Sequence, residues 1–182
     1  MSAFEVQLLG GFHCNCNDNE VKTLQAERLV LFIAYLSLNS EQPPSRRQIA
    51  FLFWPDSTEE QARTNLRNLL HLLRRAFPEI DSFLEADSQS IRWRSDAFIQ
   101  LDVKQFKESL AQAKASKEEQ VRIRHLQEAV NFYRGELLPG FYEDWILVQR
   151  EELHQAFLGA LTQLAKLLED ARQYEEAIEV VN

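Results

Sequence analysis

Along the chain, the spacing of apolar residues switches from two to a helical period and back again. Phe4, Val6 and Leu8 alternate with Glu5 and Gln7, Gly10-Gly11 interrupts, and Phe12, Cys14 and Cys16 alternate once more. Period two sends successive side chains to opposite faces and predicts strands. Asn17-Asp18-Asn19 is turn chemistry, and Val21 to Leu24 predicts a further short strand. From Ala26 the period becomes helical. Leu29, Phe32, Ile33 and Leu36 predict a first helix to Leu38, closed off before Pro43-Pro44. Ser45-Arg46-Arg47-Gln48 has the capping-box spacing and opens a second helix carrying Ile49, Leu52 and Phe53, which ends at Trp54-Pro55. Ser57-Thr58-Glu59-Glu60 repeats the signal and opens a third, longer helix to Phe77, stopped by Pro78. Period two then returns around Asp87 to Ser90. Phe83-Leu84-Glu85-Ala86 and Ile91-Arg92-Trp93-Arg94 predict a β-hairpin. Strands, three helices and a hairpin make the order of a winged helix-turn-helix.

The second half reads as helix almost throughout. Asp102-x-x-Gln105 and Ser116-x-x-Glu119 predict the starts of two helices reaching Ala115 and Tyr133. Gly135 to Gly140 is a loop. A long helix follows with Trp145, Val148, Leu153, Phe157, Leu161, Leu164 and Leu168, and after a connection at Ala171 to Tyr174 a last helix is expected from Glu175 to Val181. The expected fold class is mainly α with a small β part. A winged helix occupies residues 1–96, and an all-α helical-repeat bundle occupies 97–182. The chain stops inside its last helix with an apolar face uncovered, so we expect that a longer native protein was cut there.

Composition narrows the function classes. The 182 residues are 45% hydrophobic, with 12 Phe and 3 Trp, enough to bury a core in each half. No apolar run approaches the ~18 residues of a membrane-spanning helix, and Met1 to Leu9 lacks the basic and apolar regions of a signal peptide. A cytoplasmic protein without membrane contact is expected. Cys14 and Cys16 are read as two reduced thiols, because no partner ligands lie near them. His13, His71, His125 and His154 are scattered, and the adjacent glutamate pairs splay around their helices. No nucleophile, metal, cofactor or small-molecule motif emerges, so no enzyme is expected.

The net charge of −8 argues against nonspecific binding of nucleic acid by the whole surface. Its distribution is uneven, however. Residues 1–95 hold ten basic against twelve acidic side chains, and residues 96–182 hold ten against sixteen. The third helix holds no acidic residue from Ala62 to Pro78. On a helical wheel Arg63, Thr64, Arg67, Asn68, His71, Arg74 and Arg75 share one half. Ala62, Leu66, Leu69, Leu70, Leu72, Leu73, Ala76 and Phe77 fill the other. Ordinary solvated faces mix signs at four-residue spacing; this one carries a single sign and favours arginine.

Duplex DNA explains that pattern. A helix fits the major groove, where Arg reads guanine, Asn reads adenine and Thr touches the thymine methyl. Arg63, Thr64, Arg67, Asn68 and His71 are the base-reading candidates. Arg74 and Arg75, further along, suit phosphates. Ser45, Arg46 and Arg47 at the start of the second helix are also phosphate candidates, or simply a surface helix start. Arg92 and Arg94 on the hairpin either reach the DNA backbone or minor groove or are plain strand surface. The competing reading is a non-DNA protein-interaction or regulatory module of a larger signalling ATPase. It expects acidic groups from elsewhere to neutralise the Arg63, Arg67 and Arg74 face.

Three segments carry a family resemblance. The stretch Trp54-Pro55-Asp56-Ser57-Thr58-Glu59-Glu60-Gln61-Ala62-Arg63-Thr64-Asn65-Leu66-Arg67 resembles the turn and recognition helix of antibiotic regulatory protein (SARP) type activators. Phe4-Glu5-Val6-Gln7-Leu8-Leu9-Gly10 resembles their opening. Tyr133-Arg134-Gly135-Glu136-Leu137-Leu138-Pro139-Gly140-Phe141-Tyr142-Glu143-Asp144-Trp145 is similar to their bacterial transcriptional activator domain. The resemblance implies a response-regulator-type winged helix, as in two-component output domains, followed by a tetratricopeptide-like bundle. It implies side-by-side homodimers on promoter repeats and recruitment of RNA polymerase. The turn Trp54, Pro55, Asp56 and Ser57 would face polymerase. Relatives often carry several basic residues just before the first helix, where this chain has only Arg28 in Gln25-Ala26-Glu27-Arg28. Many relatives continue into an ATPase. No G-x-x-x-x-G-K-[ST] occurs here, so any nucleotide site would lie beyond Asn182.

Overall fold

The computed structural model describes residues 3–171. Their contacts form two compact units, residues 3–6 with 13–100 and residues 7–12 with 101–171. The segment 7–12, expected with the front half, thus groups with the rear one. The expected helix from Glu175 lies outside the described residues.

In the first unit, β1 (Ala3–Gln7), β2 (His13–Cys16), β3 (Asn19–Glu20) and β6 (Phe98–Leu101) form a sheet in the order β3-β2-β1-β6. Phe4, Val6, Cys14 and Cys16 are buried, as the alternation requires. Asn17 and Asp18 take φ of 50° and 63°, and Cys16 pairs with Asn19. This is a two-residue hairpin turn with both central residues left-handed, which Asn and Asp tolerate. The strand expected at Val21 to Leu24 is instead a 3-10 turn, Lys22–Leu24, that buries Leu24.

Helix α1 (Glu27–Leu38) buries Leu29, Val30, Leu31, Phe32, Ile33, Ala34 and Leu36. Burial on nearly every side makes it the central helix of the unit. Around it lie α2 (Arg46–Phe53) and α3 (Glu59–Ala76), followed by a 3-10 turn, Pro78–Ser82. A hairpin of β4 (Leu84–Ala86) and β5 (Ile91–Trp93) completes the winged helix. Phe4, Phe77, Phe83 and Trp93 form an aromatic cluster, with Phe4 5.2 to 5.8 Å from the other three ring centroids.

In the second unit, α4 (Asp102–Ala115), α5 (Glu119–Phe132) and α6 (Asp144–Asp170) pack in sequence around Ala113, Ile123, Leu126, Ala160, Leu164 and Leu168. Val148, an expected core position of α6, is 58% exposed, and Ile146 is buried in its place. The two predicted caps differ from those observed. Asp102 is the first residue of α4 rather than its cap, and Ser116 closes α4 while Glu118 precedes α5. The Asp102 carboxylate instead accepts from the backbone N–H groups of Leu8, Leu9 and Val103 at 2.7 to 2.8 Å. Leu9 bridges Leu137, Gly10 donates to the Glu136 carbonyl, and Leu138 donates to the Leu8 carbonyl. The Cα of Gly10 lies 2.9 Å from where a Cβ on Gly135 would sit, an approach that only glycine permits.

Candidate nucleic-acid interface

The site is built on the ends of three elements. Helix α2 begins with the expected capping box. The Ser45 hydroxyl accepts from the Gln48 backbone N–H, and the Gln48 side chain accepts from the Ser45 N–H at 2.8 Å. Helix α3 is capped one residue later than expected, by Thr58, whose hydroxyl accepts from the Gln61 N–H. Ala62, Leu66, Leu69, Leu70 and Leu73 then face the core, which turns the arginine half outward. Leu72, expected in the apolar half, is 44% exposed at its margin.

The hairpin turn is the third component. The Asp87 carboxylate accepts from the Gln89 and Ser90 N–H groups at 2.7 Å, and these bonds hold it below the ordinary carboxylate range. The turn seats on the start of α2. Ser45 bridges Ser90, the Arg46 N–H donates to the Gln89 carbonyl at 2.8 Å, and the Arg46 guanidinium donates to the Asp87 carbonyl. Protein groups therefore already take the Arg46 and Gln48 N–H groups of this helix start. A phosphate here would be held mainly by guanidinium groups. Burial lowers the Arg46 guanidinium from its ordinary value. Asp87 opposes that, and the neighbouring Arg67 and Arg74 add to it.

Between these pieces lies an open groove of about 840 Å³, lined by Ser45, Arg46, Arg47, Arg63 and Arg67 and by Ser88 and Gln89 of the turn. Five residues singled out from sequence are thus gathered along one cleft. Glu59 and Glu60 line it too. The Arg63 guanidinium lies 2.6 Å from Glu59, and Arg47 lies 3.9 Å from the same carboxylate oxygen. Arg67 donates to the Thr64 hydroxyl at 2.9 Å, which itself donates to the Glu60 carbonyl. Asn68 and His71 are exposed further along α3. Arg74 donates through Nε to both Asp81 oxygens, and Arg75 is exposed.

Arg92 and Arg94 do not line the groove. Arg92 pairs with Glu85, directly across the hairpin, and Arg94 with Asp96. Arg94 falls just past the end of β5 rather than on it. In the turn after α2, Trp54 is half-buried with Arg28 stacked 5.7 Å from its ring centroid, while Pro55 and Asp56 are exposed. Arg28, the single arginine before α1, also donates to the Phe53 carbonyl and so braces this turn. The role of the Asp87-to-Ser90 turn was missed from sequence. Its Asx-turn chemistry was readable, but its seat on α2 was not.

Among the described residues, no three His, Cys, Asp or Glu converge as metal ligands, and no helix is long and apolar enough to cross a membrane. Cys14 and Cys16 form no disulfide, and burial followed by the charge of Glu79 pushes the Cys16 thiol up, away from a reactive thiolate.

Residues 101–182 match the family model described as bacterial transcriptional activator domain. No curated protein matches the sequence. Among solved structures, the chain is similar to Mycobacterium tuberculosis EmbR, determined in complex with a low-affinity phosphopeptide. The identity is 18% and the TM-score 0.77, and the match covers 98% of this chain and 48% of that one. The chain thus spans about half the length of that relative. The structural likeness gives the chain a fold shared with EmbR over nearly its whole length, and the match to the bacterial transcriptional activator domain model is confined to residues 101–182.

Proposed function

We propose that the front unit reads DNA sequence and that the chain activates transcription from promoter repeats. Helix α3 enters the major groove. Arg67, Thr64, Asn68, His71 and Arg63 face base edges. Arg46, Arg47 and Ser45 lie beside one flanking phosphate strand, and Arg74 and Arg75 beside the other. Arg92 and Arg94 approach the backbone from the hairpin once they exchange their carboxylates for phosphate. Trp54, Pro55, Asp56 and Ser57 form the surface offered to RNA polymerase, and two copies pair on adjacent repeats. The chain acts in the cytoplasm and performs no catalysis of its own.

One observation carries this reading: the groove that gathers Arg46, Arg47, Arg63 and Arg67 between α2, α3 and the hairpin turn. Four guanidinium groups share the cleft with two carboxylates, Glu59 and Glu60, and leave it a net positive charge in an otherwise acidic protein, which suits an anion. The test is selection from randomised duplexes followed by sequencing, on wild type and on Arg67→Ala/Asn68→Ala. A repeated motif that disappears in the double variant is the expected result. Salt-dependent binding without any motif would reduce the role of α3 to phosphate contact.

A second reading has one observation in its favour. Glu59 and Asp81 already neutralise Arg63 and Arg74, as expected for a winged helix that serves as a protein-docking or regulatory module of a larger signalling ATPase. Absence of any duplex binding at low salt would put that reading first.

A further inference from the structure

Glu59 stands out within the groove. It is the first residue of α3, it is exposed, and Thr58 rather than Glu59 supplies the helix cap. Its carboxylate oxygen lies 2.6 Å from the Arg63 guanidinium and 3.9 Å from Arg47. Arg47 comes from α2 and Arg63 from the second turn of α3, so one carboxylate spans the mouth of the groove between two elements. The position suits an anion doubly: two guanidinium groups flank it, and it lies at the positive end of an 18-residue helix. Glu60, its neighbour, lines the same groove, yet among the described residues it forms no ion pair there.

We infer that Glu59 is a built-in competitor for DNA: its carboxylate holds Arg47 and Arg63 in the free protein and must be displaced when a duplex docks, which releases Arg47 to a phosphate and Arg63 to the major groove. The inference rests on the DNA reading given above and adds a residue that sets its affinity. The competition is local because the charge acts through two particular arginines. It masks Arg47, a phosphate candidate, and Arg63, the first of the base-reading candidates, while Arg67 and Asn68 further along α3 lie outside these two ion pairs. Affinity for any duplex is thereby held down, because both arginines must first give up the carboxylate.

The experiment measures binding of the full 182-residue chain to a fluorescent duplex of random sequence by anisotropy at low salt. Exposed ion pairs are worth up to about 1 kcal/mol, so Glu59→Gln should tighten binding about three- to fivefold, with Glu59→Ala close behind and Glu60→Gln giving less than about half that gain. Circular dichroism establishes that each variant is folded. In an Arg47→Ala/Arg63→Ala background, Glu59→Gln should gain no more than Glu60→Gln does, because the groups it competes for are gone. Equal gains from Glu59→Gln and Glu60→Gln, or a gain that persists undiminished without Arg47 and Arg63, would overturn the inference in favour of long-range charge. Binding by wild type that Glu59→Gln leaves unchanged would overturn it while the DNA reading stands. No binding by wild type or by Glu59→Gln would remove the DNA reading and this inference together.

Discussion

Asp102 and Arg150 show how single side chains hold the second unit. Asp102 is buried, with its carboxylate accepting from Leu8, Leu9 and Val103. Removing it orphans two buried N–H groups 93 and 94 residues away in sequence, each costing about 1 to 3 kcal/mol. Asp102→Ala should therefore destabilise the second unit by about 2 to 5 kcal/mol in urea unfolding. Burial holds this carboxyl above its ordinary value, with the three backbone bonds opposing that shift. A raised acid is most favourable to the native state below the ordinary carboxylate range, and the benefit is lost as pH rises through its folded value. The penalty of Asp102→Asn should accordingly be larger near the ordinary carboxylate range than at neutrality. Urea melts of both proteins across that window would show no trend if the shift were absent. Arg150, half-buried, donates to the carbonyls of Leu137, Leu138 and Phe141. It ties down a loop in which Leu138 takes a φ of 45°, unusual for a side chain of its size. Arg150→Lys, which loses the planar fork, should cost about 1.5 to 3 kcal/mol by the same measurement.

Helix ends set the geometry of the groove, and here the sequence was legible in part. The capping box at Ser45 was correct because Gln48 answers it three residues on. At α3 the same signal was one residue off. Ser57 and Thr58 both suit the role, and the backbone at Thr58 is the one that turns into the helix. Asp102 failed as a cap because tertiary partners claimed its carboxylate. Ser45→Ala should cost about 1 kcal/mol, a fall in melting temperature of about 4 to 8 °C for a unit of this size. DNA affinity should fall as well, because the same helix start carries the hairpin turn through Arg46 and Gln89. A thermal shift without an affinity change would mean that the turn holds its place independently.

At the scale of the whole chain, the net charge of −8 sets the regime of any DNA binding. A duplex meets an acidic molecule with one basic cleft, so binding should be strongly salt-dependent and limited to few phosphates. With Arg46, Arg47, Arg74 and Arg75 on phosphates, the slope of log affinity against log salt should be about −4. Arg46→Ala should weaken binding evenly across sequences and reduce that slope by about one, whereas Asn68→Ala should alter the preferred sequence and leave the slope alone. A slope unchanged in Arg46→Ala would remove that residue from the phosphate contacts.

The sequence alone missed the strand Phe98–Leu101 but determined the order of the described helices and the hairpin, the amphipathic character of α3 and its one-sided run of arginines. These follow from apolar period, breakers and caps, all of which act within a few residues along the chain. Tertiary structure decided what those residues meet. It brought Gln89 onto the start of α2, Glu59 between Arg47 and Arg63, and Asp81 onto Arg74. It drew residues 7–12 into the second unit through Asp102 and the Leu9–Leu137 bridge. Pairings such as Arg46 with Gln89, or Leu8 with Asp102, depend on how packed elements place distant backbone groups. Local spacing carries no signal for them, because no single turn of chain contains both partners.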